Sequence, residues 1–248
     1  MSGRATAQRE GRGQASTPRN ARHVSEPGAT RGKTDYLSAV ELFRGFSPEE
    51  MREIERASVM RSFAKRSVFY TPGETGEVLF IVKAGAVQLY KQSPEGRKLV
   101  IAKLPAYTFF GEMRSVGQKM YDTFAEATED SLVCTMRRPD IERLLLSKPR
   151  VALRLLEAVS RRVIELEQQL AELAFKGIVP RAASLLLREA VGDEVRGLSH
   201  QEIAERLGVY RETATNALDE LRNAGLIEIR RRHIIILDRK ALELAAAP

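Results

Sequence analysis

Two adjacent side chains near the carboxyl-terminal end of the sequence carry complementary hydrogen-bonding groups. Arg211 presents a planar fork of N–H donors, and Glu212 presents carboxylate oxygens that accept. An arginine fork matches O6 and N7 of guanine in the DNA major groove, and a carboxylate accepts from the amino group of cytosine. The alternative is an ion pair between two surface neighbours, which has little energetic weight. The chemistry of the two side chains alone leaves both interpretations open.

The elements around this pair favour an interaction with DNA. Ser199 and Glu202 are spaced as a capping box, which predicts the start of a helix, and Gly208 suits the tight turn that ends it. A second helix is predicted over residues 210–223, and Ala204 is small where the two helices must cross. Because a recognition helix presents its N-terminal residues to base edges, the arginine–glutamate pair lies at the appropriate end.

A basic hairpin is predicted after the second helix. Residues 227–229 and 234–237 are two short β-rich runs, and Arg230, Arg231 and Arg232 lie between them. Such a hairpin completes a winged helix-turn-helix and places positive charge against the phosphate backbone, whereas the alternative is an ordinary solvated hairpin. The residues that the sequence assigns to double-stranded DNA are Ser199, Tyr210, Arg211, Glu212, Thr213, Thr215, Asn216, Arg230, Arg231 and Arg232. The two threonines of this set are expected to contact phosphates.

A regular stripe of apolar residues precedes the winged helix. Its members recur at alternating spacings of three and four residues, as at the a and d positions of a coiled coil. This heptad stripe comprises Leu156, Val159, Val163, Leu166, Leu170 and Leu173. Packing within the same chain is the alternative, but the sequence has no second heptad helix, so a homodimer is the better prediction.

Residues 61–136 follow a different period. Short runs rich in β-branched and aromatic residues alternate with turn signals such as Pro94-Glu95-Gly96, a pattern typical of a compact β-barrel or roll. Cys134 alternates with its neighbours in the last run and is expected to be a small core residue. Upstream, Ser47 followed by Pro48 and Glu50 predicts a helix start.

The sequence therefore predicts an α+β protein with four parts. These are a disordered basic tail over residues 1–34, a β-roll over 35–148, a dimerisation helix over 149–175 and a winged-helix DNA-binding domain over 176–248. The tail is rich in polar and small residues and lacks apolar periodicity, as disordered segments do. A basic arm that touches DNA phosphates is the alternative to a solvated leader.

Overall charge adds little to the DNA interpretation. The net charge is +7, but residues 1–35 carry seven basic and three acidic residues, whereas residues 176–248 carry twelve and eleven. The sequence has neither a long apolar run nor the apolar core of a secretion signal, which argues against a membrane protein and against secretion. A single cysteine cannot form an intrachain disulfide. We therefore expect a cytoplasmic protein.

Three motifs add a family resemblance. They are Phe110–Met113 (FGEM) in the β-rich region, Arg161-Arg162 with Leu173–Phe175 (LAF) in the heptad helix, and Leu207–Thr213 (LGVYRET). With them, the chain from about residue 42 to 244 resembles the cyclic-AMP receptor protein / fumarate-nitrate reduction regulator (Crp/Fnr) superfamily of bacterial transcription regulators. The resemblance implies a cyclic-nucleotide-binding-type β-roll, a dimerisation helix and a C-terminal winged helix, with RNA polymerase as a further partner.

The resemblance also implies a DNA site. Arg211 and Glu212 would read a TGTGA-like half-site, and a homodimer would bind a palindrome of two half-sites. A third base-contacting residue in the family is often arginine, and here Asn216 stands at that position. The remaining bases of the site are therefore expected to differ. Activation and repression are equally compatible with these residues.

The same resemblance points to an effector pocket whose residues depart from the cyclic-AMP pattern. Gly111-Glu112 matches the start of the family's phosphate-binding segment, and the carboxylate suits a ribose hydroxyl. Asp122-Thr123 stands where an arginine followed by serine or threonine is usual, and an acid repels a phosphodiester. In the dimer helix, Leu166-Glu167 replaces the polar pair that would hold adenine. Control by cyclic AMP is therefore not expected.

Metals and other cofactors are not expected. One cysteine excludes an iron–sulfur cluster held by several cysteines, and His23, His200 and His233 lie outside the β-rich region without metal-ligand spacing. Activity without a ligand and control by an unidentified small molecule both stay open. A regulatory module of an enzyme or channel and a hydrolase built on the roll are disfavoured, because the sequence shows no catalytic domain, membrane span or nucleophile–base set.

Overall fold

The computed structural model describes residues 40–72, 78–111 and 123–247. The tail predicted over residues 1–34 lies outside these ranges. The described residues form an α+β structure in which a β-roll, a long helix and a winged helix-turn-helix follow one another, which confirms the predicted fold class.

The roll consists of two antiparallel sheets within the described residues. Its strands are β1 (Ser58–Phe63), β2 (Val68–Tyr70), β3 (Val78–Ala84), β4 (Ala86–Gln92), β5 (Lys98–Pro105), β6 (Phe109–Gly111), β7 (Phe124–Ala127) and β8 (Ser131–Arg137). One sheet has the order β1-β8-β3-β6 and the other β2-β7-β4-β5. Aromatic rings fill the space between the sheets: the Phe110 ring lies edge-on to Phe69 at 5.1 Å and stacks on Phe80 at 4.9 Å.

A second core lies between the β1-β8-β3-β6 sheet and the flanking helices. A 3₁₀ turn (Glu41–Phe43), α1 (Pro48–Arg56) and α2 (Arg138–Ser147) cover this sheet. Cys134 is 1% exposed within this core, as predicted. The predicted start of α1 is also confirmed, since the Glu50 N–H donates to Ser47 Oγ at 3.2 Å and the Ser47 N–H donates to Glu50 Oε2 at 2.8 Å.

One long helix, α3 (Pro149–Phe175), connects the roll to the last unit. Its buried residues are Val151 and Leu155, both near its start, and most of the residues after them are exposed. Lys176 and Gly177 separate it from the next helix in extended conformation. Within the described ranges, none of the helices combines the length and the apolar content that crossing a bilayer requires.

The last unit is a winged helix. Its elements are α4 (Ile178–Glu189), β9 (Glu194–Arg196), α5 (His200–Leu207), α6 (Arg211–Asn223), β10 (Ile227–Arg230), β11 (His233–Ile236) and α7 (Arg239–Ala245). Ala204 and Ala214 are completely buried where α5 and α6 cross, as small residues allow. The three strands pair in the order β10-β11-β9. Strand β9 was not predicted, because its three residues contain one apolar side chain and no readable alternation.

Candidate nucleic-acid interface

The first helix of the helix-turn-helix is fixed at its start by a reciprocal cap. The Glu202 N–H donates to Ser199 Oγ at 3.2 Å, and the Ser199 N–H donates to Glu202 Oε2 at 2.8 Å, so the predicted capping box is confirmed. The Ser199 hydroxyl also donates to Glu202 Oε2 at 2.6 Å. This hydroxyl is thus already engaged in the cap.

The turn places the start of α6 at the surface. Gly208 has φ 66° and ψ 33°, a left-handed conformation that glycine adopts without a Cβ penalty. Tyr210 follows in extended conformation as the N-cap residue of α6 and is 59% exposed. Its side chain makes no capping hydrogen bond, so the first N–H groups of α6 have no side-chain cap. A helix end of this kind carries partial positive charge and suits a nucleic-acid backbone.

The exposed face of α6 carries the residues predicted to read bases. Arg211, Glu212, Thr213 and Asn216 are exposed, whereas Ala214, Ala217, Leu218 and Leu221 form the buried face of the helix. Within the described part of the chain, no ion pair joins Arg211 to Glu212. The local ion pair that was the alternative to base contact is therefore not formed in this structure, and both side chains keep their hydrogen-bonding groups open to a ligand.

Thr215 lies at the edge of this face and is half-buried. Its Oγ1 lies 3.0 Å from His200 Nδ1 on α5, so the hydroxyl links the two helices of the motif. This contact gives Thr215 a role in orienting α6 in addition to the phosphate contact that the sequence suggests.

The arginine triplet divides into paired and unpaired members. Arg230 donates to both carboxylate oxygens of Glu228, at 2.8 and 3.2 Å, and this partner raises the pKa of the guanidinium. Arg232 donates to the Gly197 carbonyl at 3.0 Å and to Glu202 Oε2 at 3.2 Å. Among the described residues, Arg231 has no carboxylate partner. The triplet is therefore partly structural, and Arg231 is its free cation.

A basic cleft joins the wing to the helix-turn-helix. It has a volume of about 270 Å³ and lies between β10, β11 and the starts of α5 and α6. Five of the predicted DNA-binding residues line it: Ser199, Arg211, Arg230, Arg231 and Arg232. The structure does not bring Tyr210, Glu212, Thr213, Thr215 or Asn216 into this cleft. His200 also lines the cleft; it was missed because no local pattern distinguishes it from an ordinary first-turn residue.

The heptad stripe is uncovered on α3. Leu156 is 63% exposed and Leu170 is 66% exposed, and only Val159 of the six is half-buried. The remaining members are exposed by between 39% and 48%: Val163, Leu166 and Leu173. The described chain does not cover this stripe, so packing within the same chain does not account for it. Contiguous exposed apolar surface of this kind is typical of a protein–protein contact.

The predicted effector residues are not gathered in one place among the described residues. Gly111 is buried at the end of β6, and Thr123 is half-buried before β7, whereas Glu112 and Asp122 lie outside the described residues. Leu166 lines a cavity of about 800 Å³ between α3, β5 and the winged helix, but Gly111, Thr123 and Glu167 do not line it. No group of three or more histidine, cysteine or acidic side chains placed to hold a metal ion occurs in the described ranges.

This large cavity contains two arginines that sequence reasoning did not assign to it. Burial lowers the pKa of Arg162, although the neighbouring Tyr70 and Glu165 act to raise it. Burial also lowers the pKa of Arg181, although Glu172 acts to raise it. Neither guanidinium has a carboxylate within ion-pair distance among the described residues. Arg181 donates to the Leu207 carbonyl. Arg181 has no local signal in the sequence, because its surroundings come from α5, which follows later in the chain.

Two family models match separate parts of the chain. The cyclic nucleotide-binding domain matches residues 60–148, and the Crp-like helix-turn-helix domain matches residues 180–245. A roll of the first kind followed by a long helix and the second kind of domain defines a DNA-binding transcription regulator and not an enzyme.

Individual relatives place the chain more closely. The transcriptional regulator LdrP from Thermus thermophilus is 30% identical over 193 residues, which cover 75% of this chain and 96% of LdrP. The CRP-like cAMP-activated global transcriptional regulator of Mycobacterium tuberculosis is 24% identical over 217 residues, 84% of this chain and 97% of the relative. The structure of FixK2 from Bradyrhizobium japonicum matches with a TM-score of 0.67 and 25% identity, over 77% of this chain and 98% of FixK2. The chain belongs to the Crp/Fnr superfamily of transcription regulators.

Proposed function

We propose that this regulator binds, as a homodimer, a palindromic DNA site with TGTGA-like half-sites, and that it acts without cyclic AMP. The proposal that α6 contacts bases rests on the exposed start of this helix, where Arg211 and Glu212 form no ion pair with each other. They supply the donors that guanine accepts and the acceptor that cytosine needs. Asn216 lies one helical turn beyond Glu212 on the same face and is the proposed third base contact.

The proposed backbone contacts surround this end of α6. The basic cleft suits a phosphate because the unpaired Arg231 lines it. Arg230 and Arg232 flank this position while held by their carboxylate partners. The other proposed contacts with the sugar–phosphate backbone are Ser199, Tyr210, Thr213 and Thr215.

Selection of bound sequences from a random DNA pool tests the base-reading proposal. Arg211→Ala should then cost roughly 1–3 kcal/mol on the selected site and much less on random DNA. Arg222→Ala is a matched control, because Arg222 lies at the other end of α6 and pairs with Asp219 at 3.1 Å. Fluorescence anisotropy at fixed salt measures both affinities. Equal losses of Arg211→Ala on the two DNAs would show that Arg211 contacts only the backbone.

The uncovered heptad stripe supports the proposed homodimer. A second copy of α3 would bury Leu166 and Leu170 in the manner of a coiled coil and place two copies of α6 on successive half-sites. Leu170→Glu should therefore yield monomers in sedimentation velocity. Ala171→Glu adds the same charge one position along, off the stripe, and should remain dimeric. A dimeric Leu170→Glu protein would exclude the stripe as the dimer contact.

Two observations support activity without cyclic AMP. In sequence, Asp122 stands where the family places a phosphate-binding arginine. In structure, the Phe69, Phe80 and Phe110 rings occupy the interior of the roll beside Gly111. Isothermal titration calorimetry should accordingly detect no binding of micromolar cyclic AMP to the full-length protein. Saturable heat at that concentration would contradict this part of the proposal.

A second candidate is a regulator of the same family that depends on a different small molecule. The cavity of about 800 Å³ favours it, because Arg162 and Arg181 both lose hydration there without a carboxylate partner. A desolvated cation of this kind is stabilised by an anion. Small carboxylates and inorganic phosphate should raise the melting temperature of the native protein but not of Arg181→Gln. Arg143→Gln, on the exposed surface of α2, is the control.

The remaining parts of the proposal follow from the family. We infer a cytoplasmic location, where DNA and RNA polymerase are both accessible, and RNA polymerase as a further partner. We also infer the division of the chain into a tail (1–34), the roll (35–148), the dimerisation helix (149–175) and the DNA-binding domain (176–248).

A further inference from the structure

A hairpin of the roll lies beside the start of α6. It consists of β4, β5 and the turn between them. Leu99 of β5 lies so close to Gly208 that a Cβ atom on Gly208 would come within 2.8 Å of Leu99 Cδ1. The guanidinium carbon of Arg97 lies 5.5 Å from the centre of the Tyr210 ring, a distance typical of a cation–π interaction. The roll therefore places a cation against the residue that immediately precedes Arg211.

The hairpin leaves the start of α6 accessible. Tyr210 is 59% exposed although Arg97 lies against its ring. The three residues that follow Tyr210, at positions 211–213, are exposed as well, and so is Arg97 itself. The cation of the hairpin thus lies at the edge of the proposed DNA-binding surface and does not cover it.

The guanidinium of Arg97 has donors to spare. Its neighbour Lys98 is already paired, with Nζ 2.9 Å from Glu126 Oε2 on β7. Arg97, in contrast, has no carboxylate within ion-pair distance among the described residues. Hydrogen bonds from Ser93 and from its own backbone lower the pKa of Glu95 in the turn, and the charge of Arg97 acts in the same direction. The N–H donors of Arg97 are therefore available to a ligand.

The backbone that carries Arg97 is fixed by the turn. The Ser93 N–H donates to the Arg97 carbonyl at 2.9 Å, and the Arg97 N–H donates to Ser93 Oγ at 3.2 Å. Gly96 supplies the positive φ of 83° that the turn needs. Behind the turn, the Tyr90 ring stacks on Phe124 at 4.8 Å. Because this end of the hairpin is ordered, a partner of Arg97 is bound with little loss of backbone freedom.

The position of Arg97 fits a phosphate of the DNA backbone. A helix with its side chains is about 10–12 Å across and the major groove is about 12 Å wide, so a phosphate strand runs close to each side of an inserted helix end. Tyr210 is a proposed backbone contact, and Arg97 lies against its ring. An arginine binds phosphate through two parallel N–H donors. An exposed arginine beside Tyr210 can therefore bind the same strand.

We propose that the β4–β5 hairpin of the roll belongs to the DNA-binding surface, and that Arg97 contacts a backbone phosphate beside the start of α6. This inference rests on the proposed binding of DNA by α6. The contact adds affinity without sequence preference, because phosphates are alike at every site. In the proposed homodimer it occurs twice, once at each half-site.

The salt dependence of DNA binding by full-length variants tests this contact. Each phosphate that loses its cation lowers the slope of log K against log salt by about 0.9 on duplex DNA, so Arg97→Gln should lower it by about 2 in a dimer. Affinity at low salt should fall by roughly 5- to 30-fold, equally on the selected site and on random DNA. Arg97→Lys keeps the charge and should retain most of the slope. Fluorescence anisotropy measures both quantities.

Two control variants separate the contact from overall charge and from packing of the hairpin. Lys65→Gln removes one exposed positive charge from the turn before β2. This turn lies at the other end of β4, because the Arg66 N–H donates to the Ala127 carbonyl and Ala127 pairs with Val87. Lys65→Gln should therefore leave the slope nearly unchanged. Leu99→Ala weakens packing against the helix-turn-helix but removes no charge, and it should keep the slope as well.

DNA cleavage from a tethered iron chelate gives an independent readout. Cys134 is the one cysteine of the sequence and is buried, so Arg97→Cys provides an exposed thiol for the chelate. Cuts are expected beside each selected half-site with Arg97→Cys and not with Lys65→Cys. Equal salt slopes for Arg97→Gln and Lys65→Gln, or no cuts with Arg97→Cys, would overturn the proposal. If the native protein does not prefer the selected site, the proposed base reading fails, whereas salt slopes on random DNA still decide whether Arg97 contacts phosphate.

Discussion

Replacement of Gly208 by alanine should destabilise the protein for two separable reasons. Gly208 has a φ of +66°, and an L-residue in the left-handed region costs about 1–2 kcal/mol. The new Cβ would also come within 2.8 Å of Leu99 Cδ1, so that side chain must shift. Overpacking costs roughly 1–3 kcal/mol in a filled core. Since Leu99 is half-buried and ends in a flexible methyl, the lower limit applies, and the total is about 2–3 kcal/mol.

A second substitution separates the two costs. Leu99→Ala removes the methyl group that the new Cβ meets, so Gly208→Ala in that background keeps only the backbone cost of about 1–2 kcal/mol. The two substitutions should then be less than additive, by about 1 kcal/mol. Gly225→Ala is the matched control, because Gly225 has a φ of +73° but no atom within 4 Å of its hypothetical Cβ. It should carry the backbone cost alone and be additive with Leu99→Ala.

Urea unfolding followed by circular dichroism measures these free energies, with the slopes compared to check that each variant unfolds in the same way. A coupling of about 1 kcal/mol for the Gly208 pair and none for the Gly225 pair is the expected result. If the Gly208 pair were additive, Leu99 would not contact the turn. If both pairs were coupled equally, Leu99→Ala would act on the whole winged helix and not at the turn.

Three further predictions concern stability. Ser199→Ala should lower the free energy of unfolding by about 1 kcal/mol in urea titrations, because it removes the cap of α5. A backbone hydrogen bond from Ser47 and an ion pair with Lys148 hold the pKa of Glu50 below its ordinary value. The contribution of Glu50 to the free energy of unfolding is therefore complete above that ordinary value and is lost as the pH falls through the lowered pKa. Glu50→Gln should make the free energy of unfolding, measured by the same titration, less dependent on pH in the acid range. Gly177 has a φ of −65° and no atom closer than 3.8 Å to the position that an added Cβ would take, but it is the N-cap residue of α4, where glycine is preferred to alanine. Gly177→Ala should therefore change the free energy of unfolding by less than about 0.5 kcal/mol in the same titration, because the gain from a stiffer unfolded chain and the poorer cap offset each other. A larger loss would show that the link needs glycine.

The helix-turn-helix could be placed from the sequence because its determinants are local. Ser199 and Glu202 cap each other within one turn, and the left-handed residue after α5 favours glycine in any context. The burial of Ala204 could also be predicted, because this small residue stands four residues before Gly208 in the same short helix. The heptad stripe was equally readable, since its period alone identifies the apolar face of α3.

Contacts between distant segments could not be read in the same way. Arg231 and Arg232 are adjacent and chemically identical, yet only Arg232 is held, by Gly197 and Glu202. The difference arises from the direction in which the wing turns, and Arg232 adopts a positive φ of 53° there. The guanidinium carbon of Arg97 lies 5.5 Å from the centre of the Tyr210 ring. This contact is likewise set by how the roll meets the winged helix, which no periodicity in the sequence indicates. Charge pairing and docking depend on tertiary structure, whereas caps and turns do not.

Several connections among the described residues hold the winged helix, and together they decide where α6 points. They include the extended link of Lys176 and Gly177 after α3, the ion pair of Arg188 with Glu172 at 3.8 Å, and the contacts of the β4–β5 hairpin with Gly208 and Tyr210. With these in place, rotation about the link would drag the turn across β5, so the unit is held. In the proposed dimer the heptad stripe ends at Leu173, which brings both links near the twofold axis. The separation of the two α6 helices, which must match about 34–36 Å of DNA, is therefore set by orientation about the links and not by α3 itself.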